Sequence, residues 1–494
     1  MQISSYAQSV TMRSSINQIQ TQLADLQRQL TSGLKTDSYA GLGDARSLVL
    51  ALTNQVSQSN SYLDTIQLTQ LRVKSSMNAL ESMHKIASEM KTGSLSSSFE
   101  LTAGGQTNLQ ITSGMRLSEL VDLMNLSVGD RQLFGGKATQ TQPVVTSNLM
   151  LNGDTIHAGL KTVIAQRSAA DLGDGLGRLA LTSAVPGSVS IAEDVDGSPF
   201  GFKLANVSST LSGTTVTGPV GTPPSVDVDF SATLPSAGQK VSFELNLPDG
   251  TKTTVTLTAT NATPAGAGEF TIGADAATTA TNFQAALDAT LKTEAKQTLV
   301  SASAVEATDN FFDNPPMRVD GPPYDTATAL IAGTPDNTVI WYQGDTSGTP
   351  GNNFIATVGQ GSQVAYGARA DQSAISTVIK SAALLAAVSY TGNDVNETKA
   401  YAELTKRTAS ALNYNDGSQS LQSVMTDLGL KSSTLDTAQN KLNAQISTSK
   451  TVLADTQNAD PYDVATKLNT LMTQLQASYQ VTSSLSQLSL VKFI

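Results

Sequence analysis

The chain of 494 residues has no cysteine, which excludes disulfide bonds, thiolate metal sites and cysteine nucleophiles together. Its two histidines, His84 and His157, are too few for a metal site built from several histidines. Aromatic residues make up 5% of the chain, with Trp341 as the single tryptophan, so a large conventional core has little material. Since no other arrangement of catalytic residues stands out, we expect that the protein binds no cofactor and is not an enzyme.

Positive charge is also scarce, with 30 Lys and Arg against 41 Asp and Glu and a net charge of -11. Nucleic-acid binding draws on a cationic surface that displaces counterions from phosphates, so the composition argues against it. There is no apolar run long enough to span a membrane, and no membrane insertion is expected. The opening "MQISSYAQSVTMRSS" lacks a lysine-rich segment followed by an apolar one, so we expect no cleaved secretory signal.

Two helical series open the chain. The first has apolar residues at alternating steps of three and four, the spacing of a coiled-coil seam, at Ile16, Ile19, Leu23, Leu26 and Leu30. The second runs for about five heptads from Leu52 to Ala87 and places Ile66, Met77 and His84 on the seam, His84 as a polar residue that sets the register. A third helix is predicted over about 106–126.

The middle of the chain, from about 140 to 365, is rich in Thr, Val, Gly and Pro and has short alternating runs. The clearest, "VSFELNLPDGTKTTVTLTA", predicts a β-hairpin that turns at Pro248-Asp249-Gly250. A helix is predicted at about 280–298, which makes the insert α+β. Further strands are predicted in "NTVIWYQGD", "NFIATVG" and "SQVAYGARA", followed by a helix near 371–390.

Helices return at the C-terminal end, over about 395–412, 418–453 and 462–490, with a turn at Asn415-Asp416-Gly417. The ten residues "LSQLSLVKFI" are apolar and almost free of charge. The candidate seam residues of the last helix and of this segment are Leu468, Leu471, Leu475, Tyr479, Leu485, Leu488, Leu490 and Phe493.

Both ends of the chain therefore have a short seam helix outside and a long one inside, in mirrored order. Pairing outer with outer and inner with inner predicts an α+β fold: a long antiparallel, coiled-coil-like helical rod formed by the N- and C-terminal regions, with a β-rich α+β domain inserted at its far end. The predicted parts are 1–45, 46–140, 141–394, 395–454 and 455–494. Periodicity alone leaves open two unrelated helical bundles that flank a β domain.

Charge favours the paired arrangement. Residues 1–32 carry only Arg13, Asp25 and Arg28 as charged side chains, and residues 464–491 carry only Lys467. Gln, Ser, Thr and Asn occupy the positions where a solvated helix face has Lys and Glu, and such groups are far cheaper to bury than charges. We therefore expect other copies of the chain to cover the terminal helices, and we expect the first and last 35 or so residues of a dilute monomer to be disordered.

Several segments resemble the family of bacterial flagellins and the flagellar hook-associated protein 3, the junction protein between hook and filament. "INQIQTQLADLQRQLTSGLK" is similar to the family's first helix, and "NLSVGDRQLFGGKATQTQPV" to its turn into the outer domain, in which Phe134, Gly135 and Gly136 end the helical section. "LQASYQVTSSLSQLSLVKFI" and "YQGD" resemble the junction members more than the filament flagellins. The resemblance covers about 1–140 and 395–494.

This resemblance implies an extracellular structural protein of the bacterial flagellum, exported by the flagellar type III route without signal cleavage, that links hook to filament. It implies self-assembly into a ring or helical polymer through the terminal seams, with a neighbouring hook-associated protein and flagellin as partners. An export chaperone is implied at the C-terminal helices, on the stripe of Leu475, Tyr479 and the apolar residues after them. The alternatives are a filament-forming flagellin and, from another class, an enzyme or carbohydrate-binding middle domain displayed on a helical stalk.

Overall fold

The computed structural model describes the backbone of residues 2–392, 394–414 and 417–491, and the side chains of residues 6–485 within those ranges. The chain divides into two compact units. The first comprises Met1–Gln70, Ala356–Val364 and Ser433–Ile494, and the second comprises Leu71–Ile355 and Ala365–Ser432. Asn415 and Asp416 of the predicted turn lie outside the described residues.

Long helices occupy the two ends of the sequence and strands occupy its middle. In chain order the helices are α1 (Gln2–Ser32), α2 (Arg46–Ser96), α3 (Asn108–Met124), α4 (Ser147–Asn152), α5 (Leu160–Leu172), α6 (Ala276–Glu294), α7 (Val300–Phe312), α8 (Ser373–Ala387), α9 (Val395–Ala411), α10 (Leu421–Gln457) and α11 (Pro461–Val491). The strands are β1 (Ser127–Val128), β2 (Arg131–Gln132), β3 (Leu179–Thr182), β4 (Ser188–Glu193), β5 (Lys203–Ser209), β6 (Thr215–Val220), β7 (Ser225–Asp229), β8 (Lys240–Asn246), β9 (Lys252–Thr260), β10 (Glu269–Thr271), β11 (Met317–Val319), β12 (Leu330–Ala332), β13 (Phe354–Gly359) and β14 (Ser362–Tyr366). The predicted α+β class, with helical terminal regions around a β-rich insert, is confirmed.

The first unit contains the two pairs of helices that the mirrored order predicts. Residues 46–70 of α2 and 433–457 of α10 contact each other, since the amide of Gln70 donates to Asp436 at 2.6 Å and to Gln439 at 3.1 Å. Apolar and small polar side chains form a buried seam along this inner pair, at Val49, Ser59, Ile66, Leu435, Leu442 and Ile446. The outer pair is α1 with α11, described below.

The predicted seam of α2 is correct at one of its two heptad positions and wrong at the other. Ser59, Ile66, Val73, Leu80 and Ala87 share one heptad position and are buried as predicted. The other buried position is Thr69, Ser76, Met83 and Met90, one residue before the predicted one, so His84 is exposed and does not set the register. Thr69 is tolerated inside because its hydroxyl donates to the Thr65 carbonyl at 2.8 Å, which leaves its proton satisfied within the helix.

The second unit is built around two four-stranded sheets and α6. The strand orders are β3-β4-β7-β6, antiparallel throughout, and β10-β9-β8-β5, in which β10 runs parallel to β9. The predicted hairpin is confirmed as β8 and β9, with Asn246 opposite Lys252 across the turn. One core joins the sheets and the helix, and Phe230, Phe270 and Phe283 meet in it with ring centroids 5.2–6.0 Å apart.

Two predictions for the insert are corrected. The helix predicted at about 280–298 begins earlier, where Asp275 accepts the Thr278 N–H at 2.7 Å, and continues through a π-helical turn, Ala295–Leu299, into α7. The apolar "NTVIWYQGD" is not a strand: only Thr338 and Tyr342 form isolated bridges, with Ala158 and Val144. Its hydrophobicity serves the core instead, where the Trp341 indole donates to the Phe312 carbonyl at 3.0 Å.

A buried ionic network joins α5 to α7. Arg167 is 2% exposed and donates to Asp171 at 2.8 Å, to the Asn310 side chain at 3.2 Å and to the Pro199 carbonyl at 3.0 Å. Glu306 lies 3.7 Å from the same guanidinium. Burial raises the pKa of Glu306, as do the neighbouring Asp309 and Asp171, while Arg167 opposes the shift.

This network makes the stability of the folded chain depend on pH, and the sign of that dependence follows from the raised pKa of Glu306. The stability that its protonated form contributes is fully present below the unfolded-state pKa, 4.5, and is lost as pH rises through the higher folded-state pKa. We therefore expect Glu306→Gln to become more favourable relative to the natural chain between about pH 4 and about pH 7. Denaturant unfolding followed by Trp341 fluorescence at both pH values measures this difference, and an unchanged difference contradicts the prediction.

Candidate assembly interface

The terminal helices α1 and α11 pair with each other in antiparallel fashion. The connections meet at an isolated antiparallel bridge between Leu34 and Asn458, where α1 has just ended and α11 is about to begin. Further along the pair, the Gln20 amide donates to the Tyr479 hydroxyl at 2.8 Å. The predicted pairing of the outer helices is therefore present in the structure.

This pair buries little of its own seam. Ile16, Ile19, Leu23 and Leu26 of α1 and Leu468, Leu471 and Leu475 of α11 are half-buried. Leu30, Tyr479 and Leu485 are exposed, at 48%, 48% and 45%. Among the described side chains of α1 and α11, only Val464 is fully buried. The side chains of Leu488 and Leu490 and the whole of Phe493 lie outside the described residues.

An apolar groove of about 400 Å³ follows the contact between the two helices. Leu26 and Leu471 line it, together with the polar side chains Gln22, Asp25, Thr466, Lys467 and Thr470. Two 31-residue helices that bury so little against each other gain little hydrophobic free energy to offset the entropy of ordering them. The groove and the exposed seam residues are therefore the surface available to further helices.

The Ser and Thr side chains of α11 can be removed from water at low cost in free energy. Thr466, Thr470 and Thr473 each donate a hydroxyl proton to the carbonyl four residues earlier, at 2.8–3.0 Å, and Ser478 and Thr482 do the same at 2.8 and 2.7 Å. A hydroxyl whose proton is satisfied within its own helix costs much less to desolvate than a charged group. This gives the predicted scarcity of charge a physical basis, because covering these hydroxyls would leave none of their protons without an acceptor.

Lys35 holds the two connections together and was missed by sequence reasoning. Its ammonium donates to the carbonyls of Asp455 and Thr456, both at 2.9 Å, and its backbone N–H donates to Gln457 at 2.8 Å. These are last-turn carbonyls of α10, where a cation also complements the helix dipole. A lone lysine after "TSGL" gives no sequence signal for this contact, because its partner lies 420 residues away.

The predicted structural turn at Phe134, Gly135 and Gly136 is a hydrogen-bonded junction in the second unit. Phe134 is fully buried, and its carbonyl accepts the Ala370 N–H at 3.0 Å. The Gly135 carbonyl accepts the Asp345 N–H at 3.0 Å. The sequence-predicted turn and the "YQGD" segment, 342–345, therefore contact each other although about 200 residues separate them.

Two further side chains secure this turn. The Tyr342 hydroxyl lies 3.3 Å from the Asp345 carbonyl and 3.4 Å from the Phe134 carbonyl, and burial raises its pKa well above the usual value, so it stays a neutral donor. Arg369 forms two 2.8 Å bonds to Asp371 and donates to the Ser347 carbonyl at 2.9 Å. Arg369 was not predicted, because its contact with the turn is a backbone bridge to Gly135, a residue far away in the sequence.

The turn leaves no room for a side chain at Gly136. Its φ is +60°, and an added Cβ would lie 2.8 Å from the Asp345 carbonyl oxygen. We expect Gly136→Ala to lower the free energy of unfolding of the second unit by about 1–3 kcal/mol. Trp341 fluorescence during denaturant unfolding measures this change.

Gly429 supplies the matched control, since it lies in α10 and an added Cβ meets no atom within 4 Å. Gly429→Ala should raise stability by about 0.5–1 kcal/mol, because alanine is the better helix former. Equal effects of the two substitutions would show that the turn is not strained against a side chain.

The described residues hold no cluster of three or more His, Cys, Asp or Glu side chains suited to a metal ion. Among the helices that the structure describes, none is long and apolar enough to cross a membrane. The site that stands out is therefore the exposed seam of α1 and α11, which is suited to helix packing.

Comparison with known families agrees with this geometry. Residues 3–139 match the bacterial flagellin N-terminal helical region, and residues 414–494 match the bacterial flagellin C-terminal helical region. The first match ends just after the Phe134–Gly136 turn, close to the limit of 140 that the resemblance gave, while the second begins later than 395. No curated protein matches the chain. The two ends of the chain therefore carry both terminal helical regions of the bacterial flagellin family, which supports a structural component of the flagellum.

Proposed function

We propose that this subunit is a hook-associated junction protein, which links the hook to the filament instead of forming the filament itself. The proposal rests on the two segments that resemble junction members, the α11 segment that begins with "LQASY" at 475–479, and "YQGD" at 342–345. The observation that carries it is the direct contact of "YQGD" with the Phe134–Gly136 turn, through Asp345 and Tyr342. A segment fixed to the end of the family's N-terminal region has a structural role in this subunit.

Assembly in this proposal proceeds through the half-buried and exposed seams of α1 and α11. Copies of the chain form a ring or a short helical polymer, and each copy covers the Leu26 and Leu471 groove of a neighbour. A preceding hook-associated protein contacts the ring on one side, and flagellin contacts it on the other. Because neither helix presents a continuous charged face, every side of the pair is open to such contacts.

An export chaperone is the proposed partner before assembly. An unassembled subunit leaves Leu471, Leu475, Tyr479 and Leu485 partly exposed along α11. Such a stripe at helical spacing suits a groove on a partner protein, and its occupation would keep the subunit from polymerising before it leaves the cell. Export by the flagellar type III route without signal cleavage belongs to the same proposal.

A filament-forming flagellin is the second candidate, because both classes share the terminal helical regions that the chain matches. The two differ in what the purified chain does alone. A filament flagellin elongates into long filaments, whereas a junction subunit stops at short assemblies. Electron microscopy of the purified chain under polymerising conditions separates these outcomes.

Deletion of the gene in the source bacterium tests the junction role directly. We expect cells with naked hooks and with flagellin shed into the medium, and restoration of filaments when the intact gene is returned. Hooks that bear normal filaments in the deletion strain would contradict the proposal. Loss of the filament subunit itself, with an intact junction at the hook tip, would support the flagellin alternative.

A further inference from the structure

A polar cavity in the second unit takes no part in the terminal seams or in the Phe134–Gly136 turn. It has a volume of about 400 Å³ and lies between α7, α8, α9 and the turn of the β8–β9 hairpin. Its walls include Asp309, Lys380, Arg407 and Thr251. Small-molecule sites typically enclose about 300–1,000 Å³, so the cavity is large enough for a compact ligand.

The charged groups of the walls neutralise one another. Arg407 bonds Asp249 at 2.8 Å and Glu403 at 2.5 Å, and Lys380 bonds Asp309 at 2.7 Å. Asp249 and Arg407 are 3% and 10% exposed, so their pairing is largely removed from water. Because each of these cations already has an acidic partner, the cavity does not favour an anion, and the paired acids do not favour a cation. A neutral ligand suits it better.

The walls also offer hydrogen-bond acceptors and a donor to a ligand. Thr308, Ser381 and Thr408 are buried, and each hydroxyl donates to the carbonyl four residues earlier, at 2.8–2.9 Å. Their protons are therefore used, and the oxygen lone pairs are left as acceptors. Lys380 carries three N–H groups, of which the bond to Asp309 uses one, so it can still donate.

Apolar side chains complete the lining, with Leu384 from α8 and Val305 from α7. We propose that this cavity binds a small, neutral, polyhydroxylated molecule of monosaccharide size. Each sugar hydroxyl both donates and accepts, which matches the buried threonine and serine oxygens and the ammonium of Lys380. The C–H faces of a sugar ring are apolar and match Leu384 and Val305.

The test uses the full chain and four probes: glucose, galactose, mannose and N-acetylglucosamine. We expect saturable binding of at least one of them by saturation-transfer NMR and calorimetry. Thr377→Phe places a ring in the cavity and should weaken that binding by about tenfold or more. Thr281→Phe is the matched control, because Thr281 is exposed on α6 and, like Thr377, donates its hydroxyl to its own helix.

A second variant keeps the test decisive if the added ring disturbs folding. Lys380→Gln replaces the charged ammonium and its three N–H groups with a shorter, neutral amide that has two, and it leaves Asp309, whose side chain is 50% exposed, in contact with water. It should also weaken binding, and Trp341 fluorescence checks that both variants are folded. If none of the four sugars binds, the proposal is overturned. Equal binding by Lys380→Gln, Thr281→Phe and the natural chain would overturn it as well.

Discussion

Arg167→Met is expected to lower the free energy of unfolding of the second unit by about 3–5 kcal/mol. The substitution keeps a long, mostly apolar side chain but leaves Asp171, which is fully buried, without its cation. Asp171 would retain only the hydrogen bond from the Gly201 N–H at 2.8 Å. The contact of the Arg167 guanidinium with the Phe200 ring, at 5.1 Å, would be lost as well.

Trp341 makes this measurement specific to the second unit, because it is the single tryptophan of the chain, is 3% exposed and bonds the end of α7. Denaturant unfolding followed by its fluorescence gives the change in stability. Arg116→Met is the matched control: Arg116 pairs with Glu89 and Glu119 at 2.6 Å, but its side chain is 33% exposed. That control should stay within about 1 kcal/mol. If both variants lose the same stability, the buried network does not hold α5 to α7 as described.

Leu471→Asp is expected to abolish assembly while the second unit stays folded. Leu471 is half-buried against α1 and lines the groove that further helices are proposed to fill. If neighbouring copies fill the groove, a carboxylate at position 471 is desolvated in every subunit of the polymer, at a cost of several kcal/mol each. The variant should therefore remain in the supernatant when the natural chain sediments as an assembly. In the source bacterium it should be shed into the medium.

Val185→Asp controls for the added charge, since Val185 lies between β3 and β4 and is 61% exposed. It should assemble like the natural chain. Incorporation of the Leu471→Asp variant at the natural level would mean that the α1 and α11 seam is not the assembly surface.

Local patterns predicted the features that depend on residues close together in the sequence. The β8–β9 hairpin follows from alternation on both sides of Pro248-Asp249-Gly250, and the seams of α1 and α11 follow from the spacing of their apolar residues. The phase of the α2 seam did not follow, because Met77 lies at the predicted position while the buried one holds Ser76. A small hydroxyl residue that fits between helices has no hydrophobic signature in the sequence.

Long-range contacts were the other limit. Lys35 donates to the end of α10, 420 residues away, and the backbone of Arg369 forms a bridge with Gly135. Only the folded chain brings these partners near each other. The polar cavity likewise combines three helices and a hairpin turn from distant parts of the sequence. The division into parts at 45, 140, 394 and 454 and the assembly role of the seam residues remain predictions.

Hydrogen exchange of the dilute monomer and of the assembled polymer tests the central claim most directly. Amides of residues 2–32 and 461–491 should exchange rapidly in the monomer, because the α1 and α11 pair buries too little to stay folded for long. The same amides should become strongly protected in the polymer, while the amides of β8 and β9 are protected in both states. Strong protection of both terminal segments in the dilute monomer would contradict the account, since their seams would then be sheltered without any second copy.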